Sequence, residues 1–364
     1  MFQENQLVSS ITDFLNKKFP DNVKINSTFR SFTSAREEFD SLRNGIGLRI
    51  NSELMLIQLT GKDVLDFLHR VSSNTVKDLK VLEKRNTLFL NEKGRFIDRT
   101  TLISFENDFL LIGNSKNSRQ LYSWIDKFII TEDIKIKDVS GNFVVIDFIG
   151  RQSESFLTLL IGKEINTLDF SNVRRFDVDG FTLYFFVDQE VNGIKIYKAL
   201  IDTEKSADFI EHLFSIKSVF DLHVVGDDAF DAFRIENKIP IYPNEINDET
   251  NPHEVNLIHE VCFTKGCYIG QEVIARLDTY DKVQKRLLQV GLNNEVCPTD
   301  SFVIHDSLEN EVGKITTLSQ AELLPEQKGL AIIRKKIFGN ETLYSIESNK
   351  KKIVLQFYEL PESK

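Results

Sequence analysis

A change of pattern near residue 283 constrains the fold of this chain more than any other feature. From Lys285 onward, short apolar runs follow one another at intervals of roughly 10–15 residues, with turn-forming residues between them. This spacing is typical of a small barrel or sandwich. We therefore predict that residues 283–364 form a separate C-terminal β-barrel domain. Its strands are predicted at Leu287–Leu292, Phe302–His305, Val312–Thr317, Leu330–Arg334, Thr342–Ile346 and Ile353–Phe357.

The residues before this boundary alternate between strand and helix patterns. The dipeptide Asn192-Gly193 separates two apolar runs and is a strong hairpin signal. The turn Asn91–Gly94 lies between two further apolar runs. A helical stripe near the beginning of the chain contains Leu7, Ile11, Phe14 and Leu15. Antiparallel hairpins mixed with helices predict an α+β fold rather than a parallel, doubly wound sheet.

Composition and charge exclude several classes of function. The 364 residues are 41% hydrophobic and 27% charged, as in ordinary globular proteins, and the net charge of −10 disfavours non-specific binding to nucleic acid or anionic membranes. No apolar run approaches the roughly 20 residues that a membrane span requires. Three cysteines, an odd number, fit a reducing compartment. We expect a cytoplasmic monomer that does not bind nucleic acid directly.

The segment Lys265–Arg276 concentrates the unusual chemistry of the chain. It predicts a glycine-bearing turn that leads into a helix, whose apolar residues recur with helical spacing. A thiol at Cys267 would lie near unpaired backbone N–H groups and the ammonium of Lys265, and both favour the thiolate. The alternative is that Cys267 is a small buried hydrophobic residue.

Metal binding is not predicted, although four residues capable of it lie close together. They are His253, His259, Cys262 and Cys267, and their irregular spacing lacks the short paired gaps of a zinc site. Cys262 falls in Val261-Cys262-Phe263, which is typical of a buried strand.

The string Lys265-Gly266-Cys267-Tyr268-Ile269-Gly270-Gln271-Glu272 resembles the signature of the YgfZ-type folate-binding proteins. These are relatives of the glycine-cleavage aminomethyltransferase, or T-protein, in the GcvT superfamily. The stretches 61–68, 91–98, 234–254 and 312–331 are also similar to T-protein features. The resemblance implies a T-protein-like three-part ring around a central folate channel, followed by the barrel. It divides residues 1–282 into two interleaved α+β subdomains, roughly 1–50 plus 138–282, and 51–137.

The resemblance also implies which residues bind the cofactor, a tetrahydrofolate or related reduced folate. Glu236 matches the family's folate-contacting glutamate, and a carboxylate can accept the paired donors of a pterin ring. Lys265 is expected to receive the folate's carboxylate tail, and Phe233 and Arg276 are further candidates. Glu236 could equally be a solvated residue at a helix end, and Arg276 a surface ion-pair residue.

Two departures from the T-protein pattern bear on activity. Cys267 replaces an acidic residue of the T-proteins, and Arg99 follows Asp98 where the T-proteins have a second acid. The YgfZ resemblance implies a folate-binding protein that assists the maturation or repair of iron–sulfur proteins, and indirectly tRNA modification, using the Cys267 thiol. The alternative is a tetrahydrofolate-dependent aminomethyltransferase or methyltransferase with Asp98 as base. A third reading is a binding scaffold in which Cys267 only packs.

Overall fold

The architecture was obtained from a computed structural model, which describes residues 11–25, 28–114, 119–298, 302–335, 344–348 and 351–358. Eight α-helices lie within these ranges, together with short 3-10 turns at Lys163–Thr167 and Ile258–Glu260. The helices are α1 (11–18), α2 (Ala35–Asn44), α3 (Val64–Val71), α4 (Gln120–Phe128), α5 (Ser153–Ile161), α6 (Thr203–Ile216), α7 (Asp227–Glu236) and α8 (Gln271–Thr279). None of the described helices is both long enough and apolar enough to cross a membrane.

The strands form two large sheets, a small ribbon and a barrel. They are β1 (Val23–Ile25), β2 (Thr28–Ser31), β3 (Ile46–Asn51), β4 (Leu56–Thr60), β5 (Lys84–Leu90), β6 (Phe96–Ser104), β7 (Phe109–Ile112), β8 (Lys135–Asp138), β9 (Phe143–Ile149), β10 (Val173–Val178), β11 (Phe181–Val191), β12 (Ile194–Asp202), β13 (Leu222–Val224), β14 (Lys285–Leu292), β15 (Phe302–His305), β16 (Glu311–Leu318), β17 (Lys328–Arg334), β18 (Tyr344–Ser348) and β19 (Lys351–Tyr358).

The six-stranded sheet has the strand order β10-β11-β12-β9-β3-β13. Its β11–β12 hairpin turns at Asn192 and Gly193, whose φ angles of 50° and 75° are those that a tight hairpin turn requires. One face of the sheet packs against α1, α5 and α6 in the largest apolar core. Ile11 and Leu15 of α1 are buried there, as the helical stripe predicts, whereas Leu7 lies outside the described residues.

The five-stranded sheet has the order β5-β6-β7-β4-β8, and its two faces have different neighbours. Helices α3 and α4 cover one face through residues such as Phe67 and Ile125. The other face packs on the six-stranded sheet, where Ile103 and Ile112 meet Phe186 and Leu200. Each strand of the five-stranded sheet therefore sends alternate side chains into the helical layer and into the space between the sheets.

Strands β14–β19 close into a six-stranded antiparallel barrel in the order β14-β17-β16-β15-β18-β19. The barrel confirms the architecture expected from the spacing of the C-terminal apolar runs. The fifth strand is described at Tyr344–Ser348 and ends two residues beyond the predicted end at Ile346, whereas residues 342–343 of the predicted strand lie outside the described residues.

A fully buried arginine joins α7 to the barrel. Arg234 forms ion pairs with Glu245 at 2.9 Å and Asp231 at 2.6 Å, and it also donates a hydrogen bond to Thr317 of β16. Glu245 in turn accepts a hydrogen bond from the Thr317 hydroxyl at 2.8 Å. Glu245 lies in the loop that follows α7, and its side chain is buried between α7 and the barrel.

Candidate functional site

The predicted turn-to-helix segment packs against the turn between β5 and β6. Gly270 precedes α8 with a φ of +86°, and a Cβ atom there would lie 2.6 Å from the backbone oxygen of Asn91. A Cβ atom on Gly94 would lie 3.1–3.2 Å from Ile274 and Val273 of α8. Two stretches that are far apart in sequence, one similar to a T-protein feature and one to the YgfZ signature, thus meet through close contacts.

Cys267 is exposed at the surface of this segment. The preceding Gly266 has no atom within 4 Å of the position where a Cβ would lie, whereas the following Tyr268 is buried in an apolar core. Cys267 is therefore not a packed core residue, contrary to that alternative for the motif. Its chemical role stays a prediction.

The ammonium of Lys265 points to the end of α3 rather than into solvent. Its Nζ donates hydrogen bonds to the carbonyl oxygens of Ser72 at 2.7 Å and Asn74 at 2.6 Å. Burial lowers the pKa of Lys265 to about 8, and the nearby Cys262 opposes this shift. Lys265 therefore lies beside Cys262. The prediction of a buried strand at Cys262 is wrong, because the residue lies in a loop and is partly exposed.

Asp98 is buried near the start of β6 and faces the helical layer. Its Oδ2 accepts a hydrogen bond from the backbone N–H of Asn114 at 3.1 Å, and its Oδ1 accepts one from the Asn114 side chain at 2.5 Å. Burial raises the pKa of Asp98 to about 7, although these hydrogen bonds act in the opposite direction. A carboxyl group with a pKa near 7 can gain and lose a proton at neutral pH.

The neighbouring Arg99 projects from the opposite face of β6 into the space between the sheets. It contacts both oxygens of Glu260, with Nη2 at 2.6 Å from Oε1 and Nε at 3.0 Å from Oε2. Its Nη2 also lies 3.9 Å from Asp188 of β11. A pair of this kind is geometrically specific, because two N–H groups meet two carboxylate oxygens.

Around this ion pair lies a group of charged and polar side chains that we call the central charge cluster. Its members come from both sheets and from the loop before α8, and they are Lys84, Asn86, Arg99, Asp188, Lys198 and Glu260. Asn86 donates to both Asp188 and Glu260 at 3.3 Å. Lys84 is 1% exposed, and burial lowers its pKa to about 8.

Of the two carboxylates in the central charge cluster, Asp188 lies farther from its cationic partners than Glu260 does. Its nearest cations, Arg99 and Lys198, both lie at 3.9 Å, while Lys198 is held more closely by Asp147 at 2.8 Å. Burial favours the protonated form, but Arg99, Lys198 and Lys84 together lower the pKa of Asp188 to about 2. Asp188 is therefore an ionised, buried carboxylate with capacity to accept further hydrogen bonds.

The remaining predicted cofactor residues lie elsewhere. Glu236 ends α7 with its side chain 33% exposed and 3.5 Å from Arg43. Phe233 is fully buried in an apolar core, and Arg276 is exposed on α8. Their roles in folate binding stay predictions.

Within the described ranges, no hydrogen bond or ion pair links Glu236 to Asp98, Lys265 or Cys267. In the same ranges, no three His, Cys, Asp or Glu side chains converge as metal ligands do.

The comparisons with known proteins agree with this architecture along nearly the whole chain. The sequence is 26% identical over 331 residues to an aminomethyltransferase of Bacillus cytotoxicus, covering 88% of both chains. It is 23% identical over 353 residues to that of Bacillus licheniformis, covering 91% of this chain and 90% of the relative.

The fold is similar to the crystal structure of glycine cleavage system aminomethyltransferase T from Bartonella henselae, with a TM-score of 0.79, 19% identity and 95% of each chain covered. The family model of the GCVT N-terminal domain matches residues 12–265, which is more than half of the chain. The chain therefore belongs to the GCVT N-terminal domain family, the aminomethyltransferase or T-protein superfamily.

Proposed function

We propose that this chain binds a reduced folate at the central charge cluster and takes part in folate-dependent one-carbon transfer of the aminomethyltransferase type. The observation that carries the proposal is that the Asp188 carboxylate between the two sheets is ionised, while its ion-pair partners Arg99 and Lys198 both lie at 3.9 Å. Full-length similarity to proteins named aminomethyltransferase supports it.

The residues of the central charge cluster fit the chemistry of a folate. A pterin ring presents an amino group beside a ring N–H, and one carboxylate can accept both donors in parallel. Asp188 is ionised and buried, so it meets this requirement, whereas Glu236 is partly solvated and paired with Arg43. The cations Lys84 and Lys198 lie in the same cluster and, together with Arg99, keep the Asp188 carboxylate ionised.

Asp98 is the proposed proton acceptor for the transfer step. When bound, a reduced folate supplies the nitrogen that receives the one-carbon unit, and that nitrogen must lose a proton. Asp98 has a pKa of about 7, and Asn114 fixes both of its oxygens in position. Asp98 and Arg99 project from opposite faces of β6, so the transfer step requires a folate that passes the start of β6 to reach Asp98 from the central charge cluster. The role of Asp98 is therefore tested separately from folate binding.

Folate binding is tested by the melting temperature of the purified chain with and without tetrahydrofolate. A ligand that binds only the native state stabilises it by about 2.7 kcal/mol at a hundredfold excess over Kd. The melting temperature therefore rises. We expect Asp188→Asn to abolish this increase and Asp177→Asn, which removes an exposed carboxylate from the same sheet, to preserve it. The absence of any increase in the wild-type protein would disprove folate binding.

Transfer is tested by turnover of an aminomethyl donor with tetrahydrofolate. The transferase proposal predicts turnover that survives Cys267→Ala and is lost in Asp98→Asn. If the wild-type protein binds tetrahydrofolate without turning over such a donor, the binding part of the proposal stands and the transferase part fails.

The exposed thiol favours a second candidate, an accessory role for iron–sulfur proteins as in the YgfZ resemblance. Cys267 lies in an open stretch after Gly266, where a protein partner or a cluster could reach the sulfur. This role predicts that Cys267→Ala fails to restore iron–sulfur enzyme activity in a YgfZ-deficient strain, while Cys297→Ala and wild type restore it. Equal rescue by Cys267→Ala would exclude a role for the thiol.

A further inference from the structure

A second cysteine, Cys262, lies beside a basic cleft that the proposed function does not use. The cleft has a volume of about 400 Å³ and is open to solvent. Its lining contains two lysines and a histidine but a single carboxylate, so basic side chains outnumber acidic ones there. The lining residues are His69, Thr75, Lys77, Asp78, Thr264 and Lys265.

Two of the lining threonines stabilise the Cys262 thiolate. The Sγ of Cys262 lies 3.4 Å from the hydroxyl of Thr264. Hydrogen bonds from Thr264 and Thr75, together with backbone N–H groups of Thr264 and Lys265, lower the pKa of Cys262 to about 7. Because the nucleophilic form of a cysteine is the thiolate, Cys262 is about half ionised near neutral pH.

The local backbone holds this arrangement in place. The backbone N–H of Cys262 donates to the carbonyl of Ser73 at 3.0 Å, and Lys265 binds the carbonyls on either side of it. The loop that contains Cys262 is thus attached to the segment that follows α3 and carries Thr75. His69 lies on α3.

The positive charge of Lys265, which lines the cleft, has no carboxylate partner within the ranges that the structure describes. Among the described residues, Lys265 donates only to two carbonyls, and the one titratable group that favours its charged form is Cys262. Burial lowers the pKa of His69 most, and the charges of Lys265 and Lys77 lower it further. Unlike Lys265, Lys77 has a carboxylate partner, Asp66 at 2.7 Å, and both of these side chains are more than half exposed.

We propose that this cleft is a thiolation site, at which Cys262 reacts with a low-molecular-weight disulfide that carries carboxylates. Lys77, Lys265 and His69 attract the carboxylates, and the Cys262 thiolate attacks one sulfur of the disulfide. The disulfide bond breaks as the new sulfur–sulfur bond forms, and the second sulfur leaves as a thiolate with the bonding electrons. No other oxidant is needed. The site is independent of the proposed folate function and of Cys267.

The test treats the full chain with glutathione disulfide at pH 7 and follows each cysteine by peptide mass mapping. Without any contribution from the cleft, Cys262 should react about threefold faster than a thiol with an ordinary pKa, because its larger thiolate fraction outweighs its lower nucleophilicity. We expect Cys262 to be modified before Cys267 and Cys297. Equal or faster modification of either other cysteine would overturn the proposal.

A second measurement isolates the cleft. Lys77→Gln removes an exposed charge that lines it, and we expect slower reaction of Cys262 with glutathione disulfide but an unchanged rate with the neutral bis(2-hydroxyethyl) disulfide. Lys17→Gln, which removes a lysine on α1, is the matched control and should change neither rate. If Lys77→Gln affects both disulfides alike, or neither, the cleft does not select an anion.

Discussion

Arg99 Nη2 lies 2.6 Å from Oε1 of Glu260, and this ion pair joins β6 to the loop that precedes the cysteine motif, 161 residues later. A second contact holds the same residue, because the Ser73 hydroxyl donates a hydrogen bond to the Glu260 carbonyl at 2.8 Å. The position of the motif therefore depends on contacts with the five-stranded sheet as well as on its own sequence.

Glu260→Gln should destabilise the protein, because the largely buried Arg99 then lacks its closest anion. Removing one partner of a buried ion pair typically costs about 3 kcal/mol. We expect a lower urea midpoint with little change in the slope of the transition, measured by circular dichroism. Glu272→Gln, which removes an exposed carboxylate from α8, is the control. Equal midpoints for the two variants would show that the Arg99–Glu260 pair contributes little.

Asp98 should make the free energy of unfolding fall as the pH rises from about 4 to about 7. Its pKa is about 7 in the folded protein and 3.8 in the unfolded chain, so the native state holds a proton that the unfolded state has lost. This contribution is fully present below the unfolded value and disappears above the folded one. Asp98→Asn should flatten the dependence in urea titrations across this range.

Asp126→Asn, a charge-matched change on the surface of α4, should retain the wild-type profile. If Asp98→Asn and wild type have the same pH profile, the Asp98 carboxyl does not titrate in this range.

Turnover with an aminomethyl donor should decline on the acid side of pH 7 if Asp98 is the base. Only the ionised carboxylate can accept a proton, and the pKa of Asp98 is about 7. Loss of a general base typically reduces the rate by about 10²–10⁴-fold, so Asp98→Asn should lose both the activity and the acid limb. A pH–rate profile of kcat/KM measures this, and an acid limb that persists in Asp98→Asn would assign the base to another group.

The two glycines of the motif should respond differently to alanine. Gly270→Ala places a Cβ 2.6 Å from the Asn91 carbonyl at a φ of +86°, so both contact and backbone strain oppose it, and we expect a loss of about 1–3 kcal/mol. Gly266→Ala meets nothing within 4 Å and should change stability by less than about 0.5 kcal/mol. Thermal melts of the two variants compare them directly, and a similar loss for both would contradict this difference.

Local signals in the sequence predicted much of the fold. The Asn192-Gly193 hairpin, the turn before α8 and the C-terminal barrel each depend on neighbouring residues, such as a glycine that adopts a positive φ. Arg234 lies on α7, and its complete burial was not predicted. That burial depends on Glu245 and Thr317, and Thr317 is 83 residues away in the barrel.

The central charge cluster could not be predicted for the same reason. Lys84, Asp188 and Glu260 belong to three separate elements, and nothing in the sequence around each one shows that the others are near. One local signal was available at Asp188, since a charged residue follows the apolar run Phe185–Val187 within a strand. Similarly, the Lys265 ammonium was placed near a thiol, but the long-range contacts to Ser72 and Asn74 direct it to Cys262.

Closure of the C-terminal barrel limits how this protein can assemble. Among the residues that the structure describes, each of strands β14–β19 has two hydrogen-bonded neighbours, so none of these strands is an edge strand. A strand added from another chain would compete with pairings already present in the ring, so we expect association through this domain to use side chains on its outer surface. This protects the barrel from edge-to-edge aggregation.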